Sequence, residues 1–329
     1  MQNIKRTTCL ALAALLLGLT ACRTAAPAPS ADSPAASPDG VLAQTNAIAF
    51  TDALGRAVTV PVQPQRVAAL IGSFADVWCL AGGQSSLVAA ADDTWTSFSL
   101  DLDKDVVNLG AIKEPSVEKL LAAAPELVIA SANTAADVDL LATLEQAGLN
   151  VVYFNVTSFA DYLDMLDLCT SITGSRENYE SYGVAVQRQV DDARAMAGGE
   201  SPTVLYLRAT GSSVKVKNSQ GSVLGEMLAD LGCTNIADSD DGLLEQLSLE
   251  AILAADPDKI FIVAQGADPI KAEAMLQSEV LANPAWQQLT AVQTGQVYMM
   301  DQALYNLKPN EKWGEAYENL AQILYGKGA

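Results

Sequence analysis

Two glutamates share a setting that a chemical role would explain. Glu118 and Glu250 each stand two residues after a serine, in Ser116-Val-Glu118 and Ser248-Leu-Glu250, and seven residues before a proline, Pro125 and Pro257. A serine there reads as a helix N-cap, and an acid in the first turn complements the helix dipole by roughly 0.3–1 kcal/mol. Dipole complementation accounts for either acid alone but does not require the same residue at both places. Catalytic chemistry is poorly served. The chain has no histidine, so the commonest metal ligand and the commonest general base are both missing. It has no G-x-S-x-G, no Walker loop, no G-x-G-x-x-G behind a strand and no C-x-x-C, and its carboxylates sit in no acid–base motif. The chain is therefore not expected to be an enzyme. The side chains that remain suit recognition. Arg208 offers a planar fork to a carboxylate or another anion, and Trp95 and Tyr305 offer flat faces to a bulky ligand. Lys215 and Lys217 alternate with Val214 and Val216, which fits a strand with one buried and one solvated face. Lys217 stays a candidate contact beside that plainer reading.

The elements that must position these residues alternate in type. Apolar runs at 66–70, 87–91, 127–130 and 151–154 read as buried strands, with helical stretches at 74–81, 117–123 and 134–147, the last stopped by Gly148. Such alternation predicts a parallel α/β sheet covered on both faces. Residues 159–197 then read as helical, with one candidate break at Gly174 and a stripe of Tyr179, Tyr182, Val186, Val190, Ala193 and Ala197. Alternation resumes from residue 203, and the chain closes in a helix around 311–324. The expected fold is α/β: two parallel-sheet lobes, 47–157 and 200–329, joined by one long α-helix within 158–199, with the ligand cleft between the lobes. The segments around Glu118 and Glu250 repeat each other at an offset of 132 residues, which suggests duplication. Ligands of open parallel sheets sit beyond the carboxyl ends of strands. That rule nominates Ser73 and Phe74, Asp93 and Trp95, and Ser131 and Asn133 in the first lobe. In the second it nominates Arg208, Lys217 and Tyr305.

The first residues belong to neither lobe. Lys5 and Arg6 precede an apolar stretch at 9–19, too short to span a bilayer, and Leu19-Thr20-Ala21-Cys22 follows. This resembles a bacterial lipobox, so residues 1–21 read as a signal peptide and Cys22 as the acylated N-terminus. Residues 23–46 are rich in Ala, Pro, Ser and Thr and read with Cys22 as a flexible tether, 22–46. Of the other cysteines, Cys9 leaves with the signal, and Cys79, Cys169 and Cys233 read as buried thiols without a disulfide. The chain carries 19 basic and 39 acidic residues. Losing Lys5 and Arg6 leaves a net charge of −22, a poor partner for nucleic acid.

Three blocks carry a family resemblance. Thr51-Asp52-Ala-Leu-Gly55-Arg56 with Val58-Thr-Val-Pro61 and Pro64-Gln-Arg66-Val67, then Pro115-Ser-Val-Glu-Lys-Leu-Leu ending in Pro125-Glu-Leu-Val-Ile-Ala, then Leu307-Lys-Pro-Asn-Glu-Lys-Trp313-Gly-Glu-Ala-Tyr317, resemble the iron-siderophore, heme and cobalamin class of ABC-transporter binding proteins. The resemblance covers residues 48–325. It implies a monomeric receptor, lipid-anchored outside the cell membrane, that captures an iron or cobalt chelate and delivers it to membrane permease subunits. Glu118 and Glu250 would dock on those subunits. No cofactor or resident metal is implied. Asn306 stands where a close relative would have histidine, which favours a ligand whose metal is already chelated, a ferric siderophore or a corrinoid, over heme. The alternatives are a receptor for heme or a non-metal small molecule, and a surface lipoprotein without a transport role.

Overall fold

A strand buried along its whole length, such as Leu127–Ser131, needs cover on both faces, and a parallel sheet between helices supplies it. The computed structural model describes residues 47–239, 241–245, 247–266 and 268–326. The expected signal peptide 1–21, the tether 22–46 and Cys22 lie outside the described residues. The strands are β1 (Ala47–Thr51), β2 (Ala57–Pro61), β3 (Val67–Ala69), β4 (Leu87–Ala90), β5 (Val107–Asn108), β6 (Leu127–Ser131), β7 (Asn150–Phe154), β8 (Thr203–Ala209), β9 (Val214–Lys217), β10 (Thr234–Asn235), β11 (Lys259–Ala264) and β12 (Val297–Met300). The first large sheet runs β5-β4-β3-β6-β7, all parallel. The second runs β10-β8-β11-β12 in parallel, with β9 antiparallel to β8. Setting β5 and β9 aside, both follow one path: the chain's second strand, then its first, third and fourth. The direction of winding reverses between β3 and β6 and again between β8 and β11, the switch points where a crevice opens.

The sequence repeat is also a backbone repeat. The helices Val117–Ala122 and Leu249–Ala255 start the same way: Ser116 Oγ accepts from the Lys119 amide and Ser248 Oγ from the Ala251 amide, both at 3.3 Å. At their far ends Ala124 and Asp256 both turn left-handed, with φ of 43° and 39°. Each is followed by a proline and then by the third strand of its sheet, β6 or β11.

Residues 159–197 are not one helix. Phe159–Thr173 opens with a capping box between Ser158 and Asp161 and ends at Gly174, whose φ of 84° suits glycine. The chain then turns back as Arg176–Tyr179, a π turn at Glu180–Val184, and Ala185–Ala195. Tyr162 Oη donates to the Tyr182 carbonyl at 2.9 Å, and Ser158 and Arg194 line one groove, so the two arms lie side by side. The second arm is the link that leads to β8. The expected helix over 134–147 is likewise two, Ala135–Asp139 and Leu141–Gln146. Tyr153 Oη donates to the Asp137 carbonyl at 2.6 Å and so occupies the acceptor a continuous helix would give to the Leu141 amide.

A short antiparallel hairpin, β1 with β2, precedes the first sheet. Arg56 pins it there, donating to Asp52 Oδ2 at 2.6 Å, Glu145 Oε1 at 2.8 Å and the Val151 carbonyl at 2.8 Å, with its guanidinium 5.2 Å from the Tyr153 ring centre.

Alternate strand residues feed different cores. Ala68, Val128 and Val151 face one cluster, and Leu205, Leu207, Ile260 and Ile262 another. Val67, Leu127, Ile129 and Val152 share a third with Val204, Tyr206, Phe261 and Val263, so one apolar cluster runs through both sheets. Phe159 sits in it, with ring centres 5.9 Å from Trp313 and 6.3 Å from Tyr317 on the Trp313–Tyr325 helix. Phe159→Ala should cost about 3–5 kcal/mol and split the calorimetric unfolding transition in two. A single transition at the wild-type temperature would show that this cluster does not couple the sheets.

Candidate functional site

Beyond the carboxyl ends of β3, β6, β8 and β11 lies a cleft of two chambers. The larger, about 930 Å³, includes Ile71, Asp92, Asp93, Ala111, Ile112, Ala135, Ala136 and Leu307. The smaller, about 650 Å³, includes Asn155, Thr157, Arg208, Ser222 and Lys308. Asn133, Gln265 and Asn306 stand on the walls of both. These positions follow from the topology. Ile71 and Asn133 come just after β3 and β6, and Gln265 comes just after β11.

The chambers differ in charge. In the larger, Asp93 turns its carboxylate on the helix Gly72–Leu80: both its oxygens accept from the Gly72 amide at 2.9 Å. A Cβ at Gly72 would lie 2.6 Å from the Thr94 amide nitrogen and 2.8 Å from Asp93 Cγ, so glycine is required for this approach. Burial raises the Asp93 pKa, and the Gly72 amide opposes it. The smaller chamber is basic. Arg208 donates to Tyr206 Oη from Nη2 at 3.1 Å and Nε at 3.3 Å, and Lys308 Nζ lies 5.9 Å from the Phe74 ring centre. Neither cation has an ion pair among the described residues. Burial lowers the Lys308 pKa, Asp93 pulls it back up, and Arg208 lowers it again. Ser222, just before the helix Val223–Asp230, is 4% exposed, and its Oγ has no hydrogen-bond partner.

Of the residues nominated from the sequence, the fold brings Asp93, Asn133 and Arg208 to the cleft. Ser73, Phe74, Ser131 and Tyr305 are buried in the body and line neither chamber. Ser73 lies inside the Gly72–Leu80 helix, and its carbonyl accepts from Asn310. Phe74 packs edge-on against Phe154. Ser131 Oγ accepts from the Asn133 amide at 3.2 Å, and Tyr305 Oη donates to the Ala316 carbonyl at 3.0 Å. Trp95 packs half-buried against the shared core. Lys217, opposite Tyr206 on β9, is half-buried without lining either chamber. The reason is geometric and differs between helix and strand residues. Ser73 and Phe74 fall inside the Gly72–Leu80 helix, Trp95 inside Asp93–Thr96 and Tyr305 at the end of Gln302–Tyr305, whereas Ser131 ends the fully buried β6 and Lys217 ends β9. Asn155 and Gln265 follow β7 and β11, and the strand-end rule applied there would have named them. Asn306 was singled out for its missing histidine and lines both chambers. Ser222 carries no sequence signal, and Lys308 stands in the third resemblance block without a nomination to the cleft. Glu118 and Glu250 are both exposed.

Two buried acids stand behind the cleft. Asp137 Oδ2 accepts from the Ser131 amide at 2.8 Å while Oδ1 is buried without a partner, and burial pushes its pKa up to about 7. Asp76 Oδ2 accepts from Asn310 at 2.7 Å, and burial pushes it up to about 6. Both pKa values are raised on folding, so the folded protein keeps protons that the unfolded chain releases. The stability these groups contribute is full below pH 4 and lost as pH rises through 6 to 7. Melting temperature should therefore fall between pH 5 and pH 8. Asp137→Asn should flatten that fall by about 1–3 kcal/mol while keeping an acceptor for Ser131. An unchanged pH slope in the variant would mean that Asp137 ionises normally.

Comparison with known proteins places this geometry. Residues 67–304 match the profile of the family described as "Periplasmic binding protein". YhfQ of Bacillus subtilis, provisionally named an ABC transporter substrate-binding lipoprotein, is 25% identical over 279 residues, covering 79% of this chain and 83% of its own. YfmC of the same species, named an Fe(3+)-citrate-binding protein, is 28% identical over 255 residues, covering 74% and 75%. The crystal structure of an ABC transporter substrate-binding protein from Listeria monocytogenes superposes with a TM-score of 0.66 at 21% identity, over 80% of this chain and 99% of that one.

Proposed function

The chain belongs to the periplasmic binding protein family and is the substrate-binding protein of an ABC importer; from that premise we propose that its cargo is a metal chelate, with a ferric siderophore or ferric carboxylate complex ahead of a corrinoid and of heme. The observation that carries this is the wall of the cleft. Asn133, Asn155, Gln265 and Asn306 offer carboxamides, which hydrogen-bond to the oxygens of a chelator, and Arg208 and Lys308 offer charge. Asn306 replaces the imidazole that would ligate a heme iron or a bare ion. The YfmC name, for ferric citrate, points the same way.

The mechanism is capture, slight closure, docking and release, without turnover of the cargo. A core shared by the two sheets resists wide hinge opening. Glu118 and Glu250, exposed on helices with the same cap and the same station in each sheet, are the docking contacts for the permease subunits. The anchor is Cys22, which holds the monomeric protein to the outer face of the cell membrane.

A thermal-shift screen of residues 47–329 against ferric siderophores, ferric citrate, cyanocobalamin and heme tests the cargo. A ligand at 100 times its Kd should add about 2.7 kcal/mol. A selective shift with one ferric chelate is expected, and no shift with any of the four would overturn the chelate reading. Docking is tested apart from binding. Glu118→Arg with Glu250→Arg should leave chelate affinity unchanged and abolish chelate uptake by cells carrying the importer. Uptake at the wild-type rate would remove the docking role.

A further inference from the structure

We propose that Asn310 and Asp76 form a proton-sensitive clasp that seats the cleft-wall segment 306–308 against the first sheet, so that the receptor holds its cargo more tightly in acid than at neutral pH. The effect on cargo rests on the receptor reading above; the clasp itself does not. Asn306, Leu307 and Lys308 form part of the cleft wall, and Asn310 follows Lys308 after a single proline. The chain has left β12 of the second sheet and here crosses to the helix Gly72–Leu80 that follows β3 of the first. Asn310 makes the crossing contact: its Nδ2 donates to the Ser73 carbonyl at 2.9 Å and to Asp76 Oδ2 at 2.7 Å. Ile71, immediately before the same helix, lines the larger chamber. A change at the clasp therefore bears on groups of both walls.

Asparagine at a φ of 52° suits the left-handed turn there. The turn does not require what the carboxamide does beyond it. Asn310 is 1% exposed, gives both its hydrogens to a distant helix and leaves Oδ1 buried without a partner. The Ser73 carbonyl fixes which way the carboxamide faces, since only a donor can meet it. Oδ1 therefore needs a donor, and an ionised Asp76 has none. A protonated Asp76 has one. Its hydroxyl can turn onto Oδ1 while its other oxygen still accepts from Nδ2, a pair in which each group gives and takes. Asp76 is half-buried, so solvent can exchange the proton.

Facing Asp76 are Glu311 and Lys312 beside Asn310, Tyr162 from the Phe159–Thr173 helix and Cys79 in its own helix. Burial pushes the Tyr162 hydroxyl and the Cys79 thiol up, so both stay neutral. The strands β3, β4 and β6 and the turn Gln84–Ser86, also packed on that helix, bring no titratable side chain. Asp93, on Asp93–Thr96, is taken up by the Gly72 amide. Burial raises the Asp76 pKa to about 6; the Asn310 bond opposes it, Glu311 adds to it and Lys312 lowers it. Lifting the segment would return the carboxyl towards its ordinary 3.8. The seated pKa is thus the higher one, so the contribution of the proton is full below the open value and lost as pH rises through the seated one.

Hydrogen exchange over residues 302–312 of the ligand-free protein, corrected for the intrinsic effect of pH, reads the seating, since the Asn306 and Leu307 amides both bond to the Gln302 carbonyl. Wild-type protection should be about 10-fold higher at pH 5 than at pH 7.5, the ratio that a seated pKa of about 6 and an open one of 3.8 give. Asp76→Asn, whose carboxamide gives and takes as the protonated acid does, should keep the higher protection at both. Asn310→Gly, which suits the left-handed turn and removes the carboxamide, should exchange at pH 5 at least as fast as wild type at pH 7.5. Equal wild-type protection at the two pH values, or a wild-type ratio kept in full by Asp76→Asn, would overturn the clasp. Affinities for the four chelates of the screen above are then compared between Asp76→Asn and wild type, a ratio from which the titration of the ligand cancels. For a chelate that binds, the variant should match wild type at pH 5 and bind about 3- to 10-fold tighter at pH 7.5. The same ratio at both pH values would overturn the effect on cargo. The expected exchange pattern with none of the four bound would uphold the clasp and overturn the chelate reading.

Discussion

One apolar cluster passes through both sheets, and the rest of the molecule is arranged around it. Leu127 and Ile129 on the first sheet and Phe261 and Val263 on the second belong to it, and the rings of Phe159, Trp313 and Tyr317 close it between two helices. Close-packed interiors transmit strain and resist graded deformation. Two sheets that share a core cannot swing apart as two sheets joined by strands can. The receptor must therefore recognise its cargo in a cleft that is largely formed beforehand, and affinity rests on the placement of its wall groups more than on closure.

That placement is set by topology. Both sheets wind in the same order and reverse at the same point, so both send their strand ends to a common crevice. The two walls are not alike in charge, however. On the first sheet the acids Asp92 and Asp93 face the larger chamber, and Asp93 is held to the Gly72 amide. On the side of the second sheet Arg208 and Lys308 face the smaller chamber unpaired. The same strand order thus carries different charges at its two ends of the cleft, three acids with Lys113 in the larger chamber and two cations without an acid in the smaller.

The outside of the protein keeps the duplication that the cleft has lost. Ser116 and Ser248 cap in the same geometry, Glu118 and Glu250 stand in the same first turn, and Ala124 and Asp256 leave by the same left-handed residue. Alanine in that conformation is strained by roughly 1–2 kcal/mol. The feature repeated in both sheets is therefore geometric as well as electrostatic, which is what the proposed docking of both acids on permease subunits would use.

The sequence by itself determined the class of fold, the main strands of the first sheet and the serine-capped glutamates. Each of these rests on local patterns: apolar runs, caps and turn residues. Tertiary structure decided which polar side chains meet. Asp93, Asn133 and Arg208 reach the cleft from strand ends, whereas Phe74 and Tyr305, placed by the same rule, lie in the helices Gly72–Leu80 and Gln302–Tyr305 and turn into the core. Ser222 and Lys308 show the limit most clearly. A serine before a helix reads as an ordinary cap, and a lysine in a proline-flanked loop reads as solvated. The unpartnered Ser222 hydroxyl and the unpaired cation become visible when the loop 218–222 and the segment around Leu307 are brought to one chamber, by contacts between residues far apart in the chain that no local pattern encodes.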